Sequence, residues 1–533
     1  MSFGPTRILP RVSMLAALAL MATVGGACTV GPSDRPAVAV REAGLPPPDS
    51  PQTLLSTPPL PPPGDYRPSS LEWEDCTDRI TTALDTLHPG TLHPGEPGPP
   101  RVECAELRVD ADVSVPAYGN SLTLDLTRIG NGPAPLVVIG EAAAEPGTVR
   151  AAKLAGQLPS TLLDSFTLIG LARRGTGTSE PLSCIPASTR SRILGFDPEI
   201  RQPGQLDLLL DVTRTAIQTC VQEVGEVLVA INSTRAADDL EALRVRLGAP
   251  VLNVLSHGSA SRAVVDFVRR YPTSVGRVVL DGAADPTLDG ITGSEAALVA
   301  AEAGYTAFAA DCVARSCPLG SDPRVALTAL AEALRQVPLQ AGNQRITAGT
   351  AYQAVLDTIG APERWIALSE ALAAARNGAG SEVATLMAPL IVPTGGLPAR
   401  FDPALATYCN DTPTRVPMER AEELVEQWRV RSPLFGALFA QRLLQCSAWP
   451  VPSKPPLGSG RPLPPILVIA TAGDPVTPAE GARRTAESLS SATLVSWQGQ
   501  AHGAVERSPC VIELVTRFLV DAVVPPQGTL CPP

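Results

Sequence analysis

The sequence is poor in several residue types on which binding and catalytic chemistry often depend. Of its 533 residues only 4 are histidines, aromatic side chains make up 4%, and lysine occurs only at Lys153 and Lys454. The net charge is −11, which argues against a nucleic acid partner, because binding to a phosphate backbone needs clustered cations. The 11 cysteines form no CxxC pair and there is no phosphate-binding glycine loop, so we predict neither a metal nor an organic cofactor.

The N-terminal residues have the pattern of an export signal. Arg7 and Arg11 precede an apolar run over 14–24, and small residues then lead to Cys28. An apolar run this short does not span a bilayer, so we predict a signal peptide over 1–27. Two forms of processing stay open. Lipidation of Cys28, as in a bacterial lipobox, would attach the protein to a membrane, whereas cleavage behind Ala27 would secrete it.

The residues that follow the signal predict a tether and then a disulfide-bonded domain. Twelve prolines between Pro32 and Pro68 favour extended chain without a core, so we predict a proline-rich tether over 28–70. Beyond Cys28 ten cysteines remain, an even number that favours disulfides in an exported chain. Their connectivity stays open, although pairing in chain order would close only local loops.

Hydrophobic patterns predict an α/β fold in two segments of the chain. Hydrophobic residues make up 44% of the sequence, enough for a large core, and short apolar runs at 135–140, 165–170, 251–255, 278–280 and 466–470 alternate with helical patterns. This alternation predicts a mostly parallel sheet covered on both faces, formed by 71–290 and 451–533. The intervening residues 291–450 have no strand signal and read as helices, which predicts an inserted helical lid.

Two polar residues each follow a late predicted strand, where the active sites of parallel sheets form. Asp474 comes after the strand ending near Ala470, and His502 follows 28 residues later in Ala501-His502-Gly503. An acid and then an imidazole in this order are typical of the second half of a hydrolase triad, in which the acid orients the base. Of the other histidines, His88 and His93 lie in a loop rich in proline and glycine, and His257 lies beside a predicted strand end.

These segments resemble the α/β-hydrolase fold and, within it, the exported tripeptidyl-aminopeptidase-like (TAP-like) serine peptidases of actinobacteria. The resemblance runs from Trp73 to Cys531. It is carried by the spacing of most cysteines and by four segments: Arg174-Gly175-Thr176-Gly177-Thr178-Ser179, Val279-Leu280-Asp281-Gly282-Ala283-Ala284-Asp285-Pro286, Asp474-Pro475-Val476-Thr477-Pro478 and Ala501-His502-Gly503. It implies a serine nucleophile, an oxyanion hole and peptide substrates.

The nucleophile motif of that family, Gly-x-Ser-x-Gly, is degenerate in this sequence. The resemblance implies a nucleophile fourteen residues before the proline of a Tyr-Pro-like pair. With Tyr271-Pro272 as that pair, Gly258 takes the nucleophile position, and Ser256 and Ala260 take the places of the two glycines. The alternative makes Ser259 the nucleophile, which then needs an imidazole at a glycine position. We predict that Gly258 occupies the turn, and the alternative of an active Ser259-His502-Asp474 exopeptidase stays open.

The loop that supplies an oxyanion-hole amide in the family also departs from its pattern. A Gly-Gly-Pro-Gly-like sequence is replaced by Gly140-Glu141-Ala142-Ala143-Ala144-Glu145-Pro146-Gly147. A carboxylate near the developing oxyanion would oppose the transition state, unless both glutamates point into water. We therefore predict an impaired or inactive hydrolase that acts, if at all, by binding a peptide or small molecule under the lid. A purely structural envelope lipoprotein is the third possibility, without a positive signal.

Overall fold

The computed structural model describes residues 59–64, 70–89, 101–111, 121–202, 204–449 and 462–533. The predicted signal peptide, Cys28, His93 and most of the predicted tether lie outside these residues. The described part of the tether, 59–64, lies against the domain. The side-chain amide of Asn253 donates to the carbonyl of Pro63 at 2.9 Å, and Arg277 donates to the carbonyl of Pro61 at 3.2 Å. The folded domain therefore begins before the predicted boundary at residue 71.

A ten-stranded sheet forms the centre of the part of the chain that the structure describes. Its strands are β1 (Glu74–Asp75), β2 (Val102–Asp110), β3 (Ser121–Ile129), β4 (Ala134–Ile139), β5 (Phe166–Leu171), β6 (Leu252–His257), β7 (Val275–Asp281), β10 (Ile466–Thr471), β11 (Ala492–Trp497) and β12 (Thr529–Cys531), and a separate hairpin contains β8 (Leu339–Ala341) and β9 (Gln344–Ile346). The order is β1-β2-β3-β5-β4-β6-β7-β10-β11-β12. The pairs from β1 to β5 are antiparallel and the remaining pairs are parallel.

The central strands are apolar throughout because both faces of the sheet are covered. Along β4, Leu136 and Val138 pack into the core beneath one set of helices, whereas Val137 and Ile139 pack into the core on the opposite face. Successive side chains of a strand point to opposite faces, so a strand buried on both sides shows a continuous apolar run. The predicted mostly parallel α/β sheet is confirmed.

Eighteen helices surround the sheet or follow it in the described residues. They are α1 (Thr77–Leu87), α2 (Gly147–Ala155), α3 (Ser160–Ser165), α4 (Ala187–Leu194), α5 (Gln205–Val224), α6 (Val227–Ala230), α7 (Ser233–Leu247), α8 (Ser261–Arg270), α9 (Gly290–Ala314), α10 (Pro323–Gln336), α11 (Ala348–Thr358), α12 (Trp365–Arg376), α13 (Ser381–Ile391), α14 (Phe401–Asp411), α15 (Met418–Arg431), α16 (Gly436–Leu444), α17 (Ala479–Glu487) and α18 (Pro509–Asp521).

The helices between β7 and β10 share one apolar core with an earlier part of the chain. Residues 182–231 and 290–449, which we call the helical layer, contribute to the same buried cluster. Asp402 fixes this association, because its buried carboxylate pairs with Arg190 and accepts the backbone N–H groups of Cys184 and Ile185 at 2.9 and 2.8 Å. The prediction that 182–231 belong to the sheet core is therefore wrong. The helical periodicity of α4 and α5 indicates that each helix has a buried face, but it does not indicate which element covers that face.

Two details of the helical layer go beyond the prediction of helices over 291–450. The chain from Met418 to Leu444 forms two helices, α15 and α16, because Pro433 disfavours helical backbone at Ser432 and the chain turns there. At the start of α16, Gly436 lies so close to the carbonyl of Trp428 that a Cβ would be 2.1 Å from the oxygen. The β8–β9 hairpin also lies where the sequence showed no strand signal, because strands of three residues are too short to produce a pattern.

Five disulfides join the ten described cysteines in chain order. The pairs are Cys76–Cys104, Cys184–Cys220, Cys312–Cys317, Cys409–Cys446 and Cys510–Cys531. Each closes a loop of 5 to 37 residues, so each restrains a local segment.

Candidate active site

A tight turn follows β6, at the position where the sequence predicts the nucleophile. Gly258 has φ +58°, in the left-handed region, and the chain then enters a short 3₁₀ turn and α8. Ser256 and Ala260 on either side of the turn are fully buried. A strained strand-to-helix turn is where an α/β-hydrolase presents its nucleophile. The structure therefore places Gly258 at the turn, where it has no side chain to present.

The turn lies where the order of the parallel strands reverses. β4 is flanked by β5, which follows it in the chain, and by β6, so the loops after β4 and β6 leave the sheet side by side. Ligand sites of open α/β sheets form at such a reversal, at the carboxyl ends of the strands. The register pairs Ile139 with Ser256, which brings the segment from Gly140 close to Gly258.

Asp474 and His502 meet beside this turn. Nδ1 of His502 lies 3.0 Å from Oδ2 of Asp474. The aspartate is itself oriented, because Oδ1 accepts the backbone N–H groups of Val476 and Thr477 at 2.9 and 2.8 Å and Oδ2 accepts the hydroxyl of Thr477 at 2.9 Å. Nε2 of His502 points toward the turn, since a Cβ at position 258 would lie 2.8 Å from it. This is the geometry of an acid-oriented general base.

Glu141 occupies the place that a nucleophile side chain would take. Its Oε1 accepts the backbone N–H of Ser259 at 2.6 Å, and its Oε2 lies 3.2 Å from Nε2 of His502. A Cβ at position 258 would lie 2.1 Å from Oε1, so the carboxylate and a side chain at the turn exclude each other. The N–H after the nucleophile is one of the donors that form an oxyanion hole in this fold. Here that N–H is already bound to a carboxylate of the same chain.

Asp474, His502 and Glu141 form a buried chain of polar contacts, in which each ring nitrogen of the imidazole faces a carboxylate oxygen. Burial alone would lower the pKa of His502, but the carboxylates of Asp474 and Glu141 outweigh it and hold that pKa well above its usual value. Burial alone would raise the pKa of Glu141, but the contact with His502 and the N–H of Ser259 hold it far below the usual range. The geometry agrees with this direction, because an imidazole whose two ring nitrogens both face carboxylate oxygens can donate to both only when both nitrogens carry a proton, and it then has no free lone pair with which to act as a base.

Ser259, the alternative nucleophile, contributes its backbone rather than its hydroxyl. In the described residues the ring of His502 has hydrogen-bond partners in Asp474, Thr477 and Glu141, and the hydroxyl of Ser259 is not among them. The expectation that Glu141 could point into water is wrong, because its side chain is only 8% exposed.

Glu145 is also buried, but it stabilises the loop from outside the turn. Its Oε1 pairs with Arg150 at 3.0 Å, and Arg150 also pairs with Glu506. Lys153 completes this network at 2.7 Å from Glu506. The network ties the loop after β4 to the segment just beyond His502, so the two parts of the site are held together by ion pairs that water does not reach.

Asp281 holds the loop of His502 in place, a role that its Val279-Leu280-Asp281-Gly282 segment does not predict. The Asp281 carboxylate accepts the backbone N–H of Ala504 at 2.9 Å and that of Val505 at 3.2 Å, which fixes the loop carrying His502. The ring of His257 packs against that of His502 with centroids 4.3 Å apart. The position of Asp281 at the carboxyl end of a central strand was the available signal. In the described residues no group of histidine, cysteine, aspartate and glutamate has the arrangement of a metal site.

The sheet order, the turn after β6 and the paired acid and imidazole define an α/β-hydrolase fold. Known proteins with similar sequences lie within this class. A family model described as TAP-like protein matches residues 432–531. Serine protease Hip1 of Mycobacterium tuberculosis is 26% identical over 80% of this chain and 87% of its own length. The chain is therefore similar to TAP-like proteins within the α/β-hydrolase fold.

Two further relatives match over similar lengths. Carboxylesterase B of Mycobacterium tuberculosis is 28% identical over 86% of this chain and 90% of that protein. Tripeptidyl aminopeptidase of Streptomyces lividans is 24% identical over 87% of each chain. The similarity therefore includes both segments of the sheet and the helical layer between them.

The mutual exclusion of Glu141 and a side chain at position 258 gives a testable coupling. Gly258→Ala is expected to lower the free energy of unfolding by about 2–4 kcal/mol, from the positive φ together with overpacking against the carboxylate. In a Glu141→Ala background the same substitution should cost about 1 kcal/mol less, because the overlap with the carboxylate is gone and only the backbone effect and the close approach to Nε2 of His502 remain. Thermal or denaturant unfolding of the four proteins measures the difference.

Gly342→Ala is the matched control. Gly342 has φ +57° and a Cβ there would meet nothing within 4 Å. Its cost should be the same with and without Glu141. Equal costs of Gly258→Ala in both backgrounds would show that the carboxylate does not fill the turn.

Proposed function

We propose that this chain is an exported TAP-like protein that does not hydrolyse its ligand through a serine. One observation carries the proposal: the carboxylate of Glu141 lies at the place of the nucleophile side chain and takes the N–H of Ser259 at 2.6 Å. An oxyanion hole stabilises a transition state only when its donors are free for the developing charge, and the loss of one donor costs about 3 kcal/mol. In this site the nucleophile is absent as well.

The proposed activity is therefore binding, with the helical layer acting as a lid over the carboxyl edge of the sheet. The layer reaches the site directly, because the backbone N–H of His502 donates to the carbonyl of Gly360 at 2.8 Å. The names of two relatives, a serine protease and a tripeptidyl aminopeptidase, support a peptide as the ligand class. The acid and imidazole remain in place because, with Glu141, they form a stabilising ion chain rather than a catalytic one.

Labelling with a fluorophosphonate probe tests the absence of serine catalysis. We expect no labelling of the wild type. Gly258→Ser alone should also stay unlabelled, because Glu141 blocks the new hydroxyl and occupies the amide. The double variant Glu141→Gly with Gly258→Ser removes both obstacles and should label.

Two control variants decide whether any labelling comes from the expected groups. His502→Ala added to the double variant should abolish its labelling, since the serine then lacks its base. Labelling of the wild type that disappears in Ser259→Ala would contradict the proposal and identify Ser259 as a reactive nucleophile, as the alternative requires.

We also propose that the protein is attached to the cell envelope through a lipid on Cys28. The five disulfides support an oxidising compartment. In an actinobacterial host the mature protein should begin at Cys28, partition into detergent and incorporate labelled palmitate. Cys28→Ala should lose the lipid. A wild-type protein cleaved at the same place but without lipid would establish simple secretion, and a retained Met1 would contradict export.

A further inference from the structure

We infer that the remnant of the catalytic centre is a carboxylate receptor whose occupant is the chain's own Glu141, so that the site is closed by an internal ligand. This inference rests on the proposed loss of serine catalysis and adds to it a binding specificity of the same site. It goes beyond an empty or collapsed active site, because it assigns the donors that bind and the chemical class that they accept.

The donors are arranged as a receptor for a carboxylate. One oxygen of Glu141 is bound by the N–H of Ser259 at 2.6 Å and the other faces Nε2 of His502 at 3.2 Å. The two oxygens thus use two different donors that approach from two different elements, β6 with its turn and the loop after β11. Hydrogen bonds to a charged acceptor in a buried site are among the stronger polar contacts in proteins.

The receptor does not depend on Glu141 for its own positioning. Asp474 and Gly360 hold His502, through the ring nitrogen at 3.0 Å and the backbone N–H at 2.8 Å. The turn at Gly258 is fixed by the end of β6 and the start of α8. When the glutamate side chain is removed, these donors should stay in place and lack an acceptor, which is costly in a buried site.

The carboxylate is supplied at high local concentration because Glu141 is tethered to the end of β4. The Arg150–Glu145 ion pair at 3.0 Å fixes the same loop. A tethered group competes with a free ligand as if it were present at millimolar concentration or above, on the order of magnitude expected for short connections. A small external carboxylate should therefore not bind the wild type measurably.

Removal of the glutamate side chain gives a test in which the deleted atoms are added back. Glu141→Ala removes the equivalent of acetate, and Glu141→Gly removes the equivalent of propionate. We expect both variants to have a lower Tm than the wild type. Sodium acetate at about 100 mM should raise the Tm of Glu141→Ala saturably by about 1–3 °C over sodium chloride of equal ionic strength. Propionate should be the better ligand of Glu141→Gly.

Three controls separate the receptor from a general salt effect. The wild type and Glu141→Gln should respond equally to acetate and chloride, because their sites are filled. Glu141→Ala with His502→Ala should lose the response to acetate, because alanine has no side-chain donor and one of the two donors is gone. If Glu141→Ala folds only when acetate is present during refolding, that result also supports the receptor.

A folded Glu141→Ala that responds equally to both salts would overturn the inference, and so would an acetate response that persists without His502. Neither result affects the proposed loss of serine catalysis, which depends on probe labelling of the wild type. Conversely, a labelled wild type would refute the proposed function whatever acetate does.

Discussion

The contact between a carboxylate and a turn without a side chain determines the rest of this site. Glu141 accepts the N–H of Ser259 at 2.6 Å, and it fits there only because position 258 is glycine. The same carboxylate keeps His502 charged, and the charged imidazole in turn compensates two buried acids. Removal of one partner from a buried ion pair typically lowers the free energy of unfolding by about 3–5 kcal/mol. Each of the three side chains therefore stabilises the folded protein as long as the other two are present. The proposed loss of serine catalysis rests on this arrangement, because acyl transfer needs a nucleophile, a neutral base and free oxyanion donors.

The architecture explains why these residues meet although they are far apart in the chain. β4, β6, β10 and β11 are parallel neighbours or near neighbours in the sheet, so the loops that follow them converge at one edge. Each residue of the site follows the carboxyl end of a different strand: Glu141 follows β4, Gly258 follows β6, Asp474 follows β10 and His502 follows β11. The parallel sheet therefore brings the residues of this ion chain together at one edge, and two of them, Glu141 and Gly258, lie in the loops after β4 and β6.

Much of the fold and part of the site could be predicted from the sequence. The strands that became β4, β5, β6 and β10 are apolar runs, because both faces are buried, and such runs are visible without a structure. Gly258, Asp474 and His502 could be placed by their distance from strand ends and from Tyr271-Pro272. The role of Glu141 could not be predicted from the sequence. Glu141 and Glu145 lie in the same loop, and the backbone path after β4 determines which of the two side chains points toward the turn. The packing of 182–231 in the helical layer could not be predicted either, because helical periodicity indicates that a face is buried but not which element packs against it.

The central claim is that Glu141 holds His502 in its protonated form, and nitrogen-15 NMR of the histidine rings tests it most directly. His502→Gln identifies the relevant signal. At about pH 8, more than a unit above the ordinary histidine pKa of ~6.5, the wild type should show both ring nitrogens of His502 protonated. In Glu141→Gln the same ring should have lost part of this charge and titrate at lower pH. A neutral His502 ring in the wild type at that pH, with the same titration in both proteins, would contradict the account.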